Sequence, residues 1–205
     1  MSEFLTVAFA HAIAVATPGP DFALVLRYSV AQGAYAGRQV SLGIAMGIAV
    51  HMTYCVFGLA VITRLFDSYV DILKIVGALF MLYLAVLSFR HKDSSVEYIN
   101  SELDLSYTTK RLILLGFLTN GLNLKATLFF LALFALVIDQ GTPLSTLLGY
   151  GAYFILATYV WFRGLSLFLT RATVRSFFLR NERAFNVIMG LVFVFFAAQF
   201  LFSAT

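Results

Sequence analysis

Six stretches of nearly unbroken apolar sequence, near 4–28, 42–63, 71–90, 111–138, 145–169 and 184–203, divide the chain. A helix needs about 20 such residues to cross the hydrocarbon core of a bilayer. The pattern predicts an all-α, polytopic membrane protein with six transmembrane helices in a single domain over residues 1–205. The connections are short except for 91–110, "HKDSSVEYINSELDLSYTTK", which is polar and expected in water. A short surface helix fits there; a separate domain does not. Two places break the pattern from within. "TPGPD", Thr17 to Asp21, interrupts the first span, and "NGLNLKA", Asn120 to Ala126, interrupts the fourth.

Composition agrees with the pattern. Hydrophobic residues make up 61% of the 205 and charged residues 12%, about half the share in a soluble domain. So few charges cannot cover a surface that faces water. Ten of the fourteen lysines and arginines (Arg27, Arg38, Arg90, Lys92, Lys110, Arg111, Arg171, Arg175, Arg180 and Arg183) fall on one side of the predicted spans. That side is cytoplasmic by the positive-inside rule, which places both termini outside. The net charge of +4 follows from this bias, and no soluble basic face exists to bind nucleic acid. The N-terminus lacks a basic leader and a cleavage site, so the first apolar segment is expected to stay as a span. Cys55 stands alone and is expected to pack within the second span.

The halves resemble each other weakly. "KIVGALFMLYLAVLSF" from Lys74 aligns with "NVIMGLVFVFFAAQFLF" from Asn186, and "SLGIAMG" from Ser41 with "LLGYGAY" from Leu147. Apolar helices can also align by chance; if the likeness is a repeat, repeat 1 covers about 1–90 and repeat 2 about 111–205. Three spans per repeat is an odd number, so the second copy is inverted in the membrane. The two interruptions then meet near the bilayer midplane, as in transporters built from inverted repeats.

Local physics gives these interruptions a use. Pro18-Gly19-Pro20 unwinds the first helix, because each proline lacks a donor and clashes with the preceding turn. Bare backbone at that depth persists only where protein or a water-filled cavity covers it. Freed carbonyls accept from an ammonium, and a half-helix N-terminus attracts a carboxylate. Asp21 can pair with a substrate ammonium, carry a proton, or neutralise Lys125. Asn120, Asn123 and Lys125 put amides and a cation at the matching depth. A buried ion pair that only fixes packing is the competing account of Asp21 and Lys125. The candidate substrate-binding set is therefore Thr17, Pro18, Gly19, Pro20, Asp21, Asn120, Asn123 and Lys125, with Asp21 and His51 as proton-coupling candidates. His51 can relay protons or serve as a packing histidine. His11 is read as a packing residue near the outer face. Arg163 is expected to snorkel to the interface. Gly43, Gly47, Gly149 and Gly151 allow close helix approach, which permits a homodimer without demanding one.

"FLTVAFAHAIAVATPGPDFALVL", the glycine-rich second span and "LLGFLTNGLNLKATLFFLALF" together resemble the LysE/RhtB family of bacterial amino-acid exporters, nearest in look to its threonine/homoserine-type members. The resemblance implies a secondary transporter in the bacterial inner membrane that exports small amino acids, exchanging them against protons by alternating access. Its motif residues fall on Pro18, Gly19, Pro20, Asp21, Asn123, Lys125 and Ala126. Where the family carries a proline in the second motif, this chain has Leu124. Helix 4 is then less sharply broken, or Gly121 supplies the break. The alternative is a cation or metal exporter, which one intramembrane carboxylate serves poorly, since hard divalent ions want several oxygen ligands. No cofactor and no metal is expected. No His-Glu-x-x-His pattern or paired serine base points to an enzyme.

Overall fold

The computed structural model describes residues 2–65, 70–90, 108–138 and 141–203. Its helices are α1 (Ser2–Ala16), α2 (Pro20–Leu65), α3 (Val70–Arg90), α4 (Thr109–Gly121), α5 (Leu124–Val137), α6 (Leu144–Phe168), α7 (Ala172–Arg180) and α8 (Glu182–Ser203). The polar connection expected in water falls largely on 91–107, outside the described residues.

A loop between the first two spans is expected from the sequence, and the structure has none. Helical backbone runs from residue 20 to 65, interrupted only at Gly33, whose φ of 82° and ψ of 174° are not helical. A Cβ placed on Gly37 would fall 2.0 Å from the Ser29 Oγ. Eight residues along an unbroken helix span about 12 Å, so the chain folds back on itself at Gly33. A glycine can adopt this positive φ without steric penalty, and one residue does the work of a loop. α2 is therefore a hairpin of two arms, residues 20–32 and 34–65.

Inward faces follow helical spacing. On α6, Leu147, Tyr150, Phe154, Thr158, Phe162 and Leu165 are buried at intervals of three and four, the stripe of a helix with one face inward. Leu148, Leu156, Val160 and Leu167 on the same helix are exposed, as hydrocarbon contact requires. α2 packs chiefly against α4 and α6, and α3 against α8. Glycines set the α2–α4 distance. A Cβ on Gly43 would lie 2.0 Å from the Ile113 carbonyl oxygen, and one on Gly116 would lie 2.2 Å from that of Val40. Gly43 and Gly47 are thus used inside the chain, whereas Gly149 has nothing within 4 Å.

Two apolar clusters result. One gathers Ile48, Met52, Met81, Phe130, Phe154, Met189 and Phe193. The other gathers Phe22, Leu26, Val40, Ile44, Phe162 and Leu165, with Phe178 against it. Among the described residues, by length and composition alone, Pro20–Gly58, which contains the bend at Gly33, and Leu144–Phe168 are each long and apolar enough to cross a membrane, and up to four such segments result if each bent helix pair counts as one. The molecule is an all-α, polytopic membrane protein.

Candidate functional site

Each sequence interruption ends one helix and starts another. α1 stops at Ala16, and Thr17 closes it: both its amide and its hydroxyl donate to the Ile13 carbonyl, the hydroxyl at 2.8 Å. Gly19 then opens α2, its carbonyl accepting from the Ala23 N–H at 2.8 Å. Pro20 takes the first helical position, where its missing N–H costs nothing. Asp21 follows in the first turn, where the helix dipole favours a negative charge.

The second interruption works without proline. α4 and α5 meet at a bend of 54°. Asn123 caps α5, its Oδ1 accepting from the Ala126 N–H at 3.3 Å, which is the usual bond of an N-cap asparagine. Its Nδ2 donates to Asp21 Oδ2 at 3.3 Å. Asn120 donates to the same oxygen at 2.9 Å. One carboxylate oxygen therefore joins the two breaks, about a hundred residues apart in sequence. Leu124 does not restore a straight helix, because the cap comes from the residue before it.

Between the breaks lies a cavity of about 70 Å³. Its polar wall is Thr17, Gly19, Asp21, Asn120, Asn123 and Lys125, and Pro20 also borders it. Pro18 is buried beside the break and is not part of that wall. Phe22 and Phe162 come from one apolar cluster and Phe130 and Phe193 from the other, so the cavity sits at the seam between them. Asp21 Oδ1 and Asn120 Oδ1 are buried with no hydrogen-bond partner among the described residues. Lys125 attracts Asp21 electrostatically but makes no hydrogen bond or ion-pair contact among the described residues.

His51 stands behind this wall. Its Nε2 lies 2.9 Å from the Asn120 carbonyl oxygen, and its Nδ1 meets the Tyr54 hydroxyl. A carbonyl only accepts, so Nε2 carries the proton and neutral Nδ1 accepts from tyrosine. His51 therefore holds the end of α4 and does not border the cavity. His11, read from sequence as a packing residue near the outer face, does line it, with Nε2 3.1 Å from the Thr158 hydroxyl. Thr158 is also in the wall, and sequence reasoning missed it. Arg163 is exposed and borders neither this cavity nor a second one described below. No group of three His, Cys, Asp or Glu side chains converges to hold a metal among the described residues.

Gly47 positions Asn120. A Cβ there would lie 2.6 Å from Asn120 Oδ1 and 2.9 Å from the Gly121 backbone nitrogen. Gly47→Ala is expected to push the amide off Asp21 and weaken solute binding about tenfold, the worth of one hydrogen bond to a charged group. Ligand titration of the purified variant checks this. Unchanged binding would show that Asn120 has room to yield.

Residues 12–204 match the family described as LysE type translocator. The chain belongs to this family. Members of the LysE family are transporters, which agrees with a polar cavity enclosed by membrane helices and not with an enzyme. The threonine efflux protein of Escherichia coli K12 is 26% identical over 202 residues, covering 98% of both chains. That of Salmonella typhimurium is 26% identical over 207 residues, covering 99% of both. An uncharacterized membrane protein of Haemophilus influenzae is 26% identical over 97% of this chain and 96% of its own. No solved structure matches the chain.

Proposed function

We propose that this LysE-family protein exports small amino acids of the threonine or homoserine kind from the cytoplasm of a bacterium, across the inner membrane, in exchange for protons. One observation carries the reading. A single cavity borders two acceptors, Asp21 Oδ1 and Asn120 Oδ1, and the Lys125 ammonium, none of which has a hydrogen-bond partner among the described residues. A zwitterion supplies the complement of both: its ammonium satisfies the acceptors and its carboxylate meets the lysine. Leaving buried polar atoms unsatisfied costs about 1–3 kcal/mol each, which a bound amino acid relieves. That two relatives are threonine efflux proteins supports this substrate class.

A proton on Asp21 satisfies the same carboxylate that a substrate ammonium would. The two therefore compete for one group, which is the requirement for an exchanger. The fold reading that goes with this mechanism is six spans in two inverted repeats with both termini outside. In it, α1 with the first arm of α2 forms span 1, and α4 with α5 forms span 4. Alternating access follows as one repeat rocks against the other. A cavity of about 70 Å³ is less than half the engineered 150 Å³ cavity that takes benzene. An amino acid thus enters only as the walls part.

Counterflow in proteoliposomes tests the proposal: external threonine or homoserine is expected to accelerate release of preloaded threonine. If no amino acid accelerates exchange of any other, the proposal fails. Lys125→Ala is expected to weaken threonine about tenfold while sparing threoninol, which lacks the carboxylate. Equal loss for both would reduce the lysine to packing.

A further inference from the structure

Lys125 borders a second cavity. It measures about 220 Å³ and lies between α3, α5 and α8, lined by Tyr83, Leu84, Ser88, Lys125, Leu128 and Asn186 among others. Asn186 is 2% exposed, and its Nδ2 has no hydrogen-bond partner among the described residues. Ser88 is buried as well. No acidic side chain lines this cavity among the described residues. Glu182, one turn before Asn186, is not in the wall. Tyr83 on the rim is exposed at 52%, so the cavity opens at the side of the molecule.

The chemistry of this chamber differs from that of the first. An unsatisfied amide N–H and an ammonium are both donors, and with no carboxylate beside them among the described residues they suit an anion and not a zwitterion. Donors of this kind bind a carboxylate through charge-assisted hydrogen bonds. The leucines opposite offer an apolar surface to whatever the carboxylate carries. We propose that this cavity is a second station, which binds a small amphiphilic acid with its carboxylate between Lys125 and Asn186 and its apolar body between Leu84 and Leu128. The station does not depend on the central cavity being a zwitterion site. Because both cavities use one lysine, an acid held here draws that ammonium away from the centre.

The test uses the full-length protein in phosphatidylcholine vesicles, with Cys55→Ser removing the native thiol and Ser88→Cys placing a reporter in the chamber. N-Ethylmaleimide is expected to label the reporter, and isobutyrate to slow labelling about fivefold at about four times its dissociation constant. Isobutyramide, the uncharged analogue, is expected to give no protection, and Asn186→Leu to abolish protection by the acid. Adding Asp21→Asn is expected to leave that protection intact, which separates this site from the central one. A reporter that never labels, equal protection by the amide, or protection that survives Asn186→Leu or vanishes with Asp21→Asn would overturn the proposal. Phosphatidylglycerol in the vesicles that slows labelling unaided, with no further effect of isobutyrate, would assign the chamber to a lipid headgroup and also overturn it. In the unsubstituted protein, isobutyrate is expected to raise the melting temperature and isobutyramide to leave it unchanged; the reverse counts against the station even if the reporter variant misfolds.

Discussion

Asp21→Asn is expected to leave a protein that still exchanges amino acids but no longer responds to an imposed pH difference. The carbonyl of the new amide can take the place of Asp21 Oδ2 and accept from Asn120 and Asn123 as before. Its NH₂ then stands where Asp21 Oδ1, an acceptor with no partner among the described residues, stood, and it presents donors to a substrate ammonium that is itself a donor. Affinity is expected to fall about 10–100-fold, or about 1.5–3 kcal/mol. In the unsubstituted protein, acidifying the external face is expected to accelerate efflux, because on the proposed mechanism protons there displace the departing ammonium from the carboxylate. In the variant no group at this position takes up the proton, and the rate stays flat. Proteoliposomes loaded with labelled threonine and given a pH jump measure both effects. Accumulation still driven by pH would assign coupling elsewhere, with His51 the next candidate.

Gly43→Val is expected to cause the largest loss of stability. The new side chain would have to displace the Ile113 carbonyl oxygen at 2.0 Å and the Phe117 nitrogen at 2.7 Å. Both are backbone atoms within a helix, which cannot rotate aside as a side chain would. Overpacking a core usually costs about 1–3 kcal/mol, sometimes more, and this contact belongs at the upper limit. Gly149→Val is the control, since nothing lies within 4 Å of its Cβ position. Thermal unfolding in detergent should show a marked drop in melting temperature for the first variant and little change for the second. Similar drops for both would mean that valine itself, and not the α2–α4 contact, is responsible.

What could be read from the residues was what depends on one residue's own chemistry. Proline lacks a donor wherever it sits, so the break at Pro18 to Pro20 was legible. Asn120, Asn123 and Lys125 were legible as polar groups out of place in an apolar span. Their roles were not, because the Asn123 cap and its bond to Asp21 depend on two segments about a hundred residues apart. The missing proline at Leu124 left a gentler break or one supplied by Gly121; the bend is 54°, with α4 ending at Gly121 and Asn123 capping the start of α5. His11 looked distant from Asp21 along a straight helix, and the break at Thr17 to Gly19 brings both to one chamber. α7 was too short for the apolar pattern to register. Its signal was the run Phe177-Phe178-Leu179 among arginines, and Phe178 packs against Phe22 in a tilted pair with ring centroids 5.1 Å apart. The turn at Gly33 left no trace beyond a glycine in a mildly polar stretch, since only a backbone angle distinguishes a corner from a loop.

That corner has a mechanical consequence. With a single residue at the apex there is no slack between the arm bearing Asp21 and the arm bearing His51. Glycine leaves the angle between the arms free to open and close, but neither arm can slide far lengthwise without drawing the other along. A lengthwise shift of the first arm that parts Asp21 from Asn120 is thus expected to pull on the second arm through one joint.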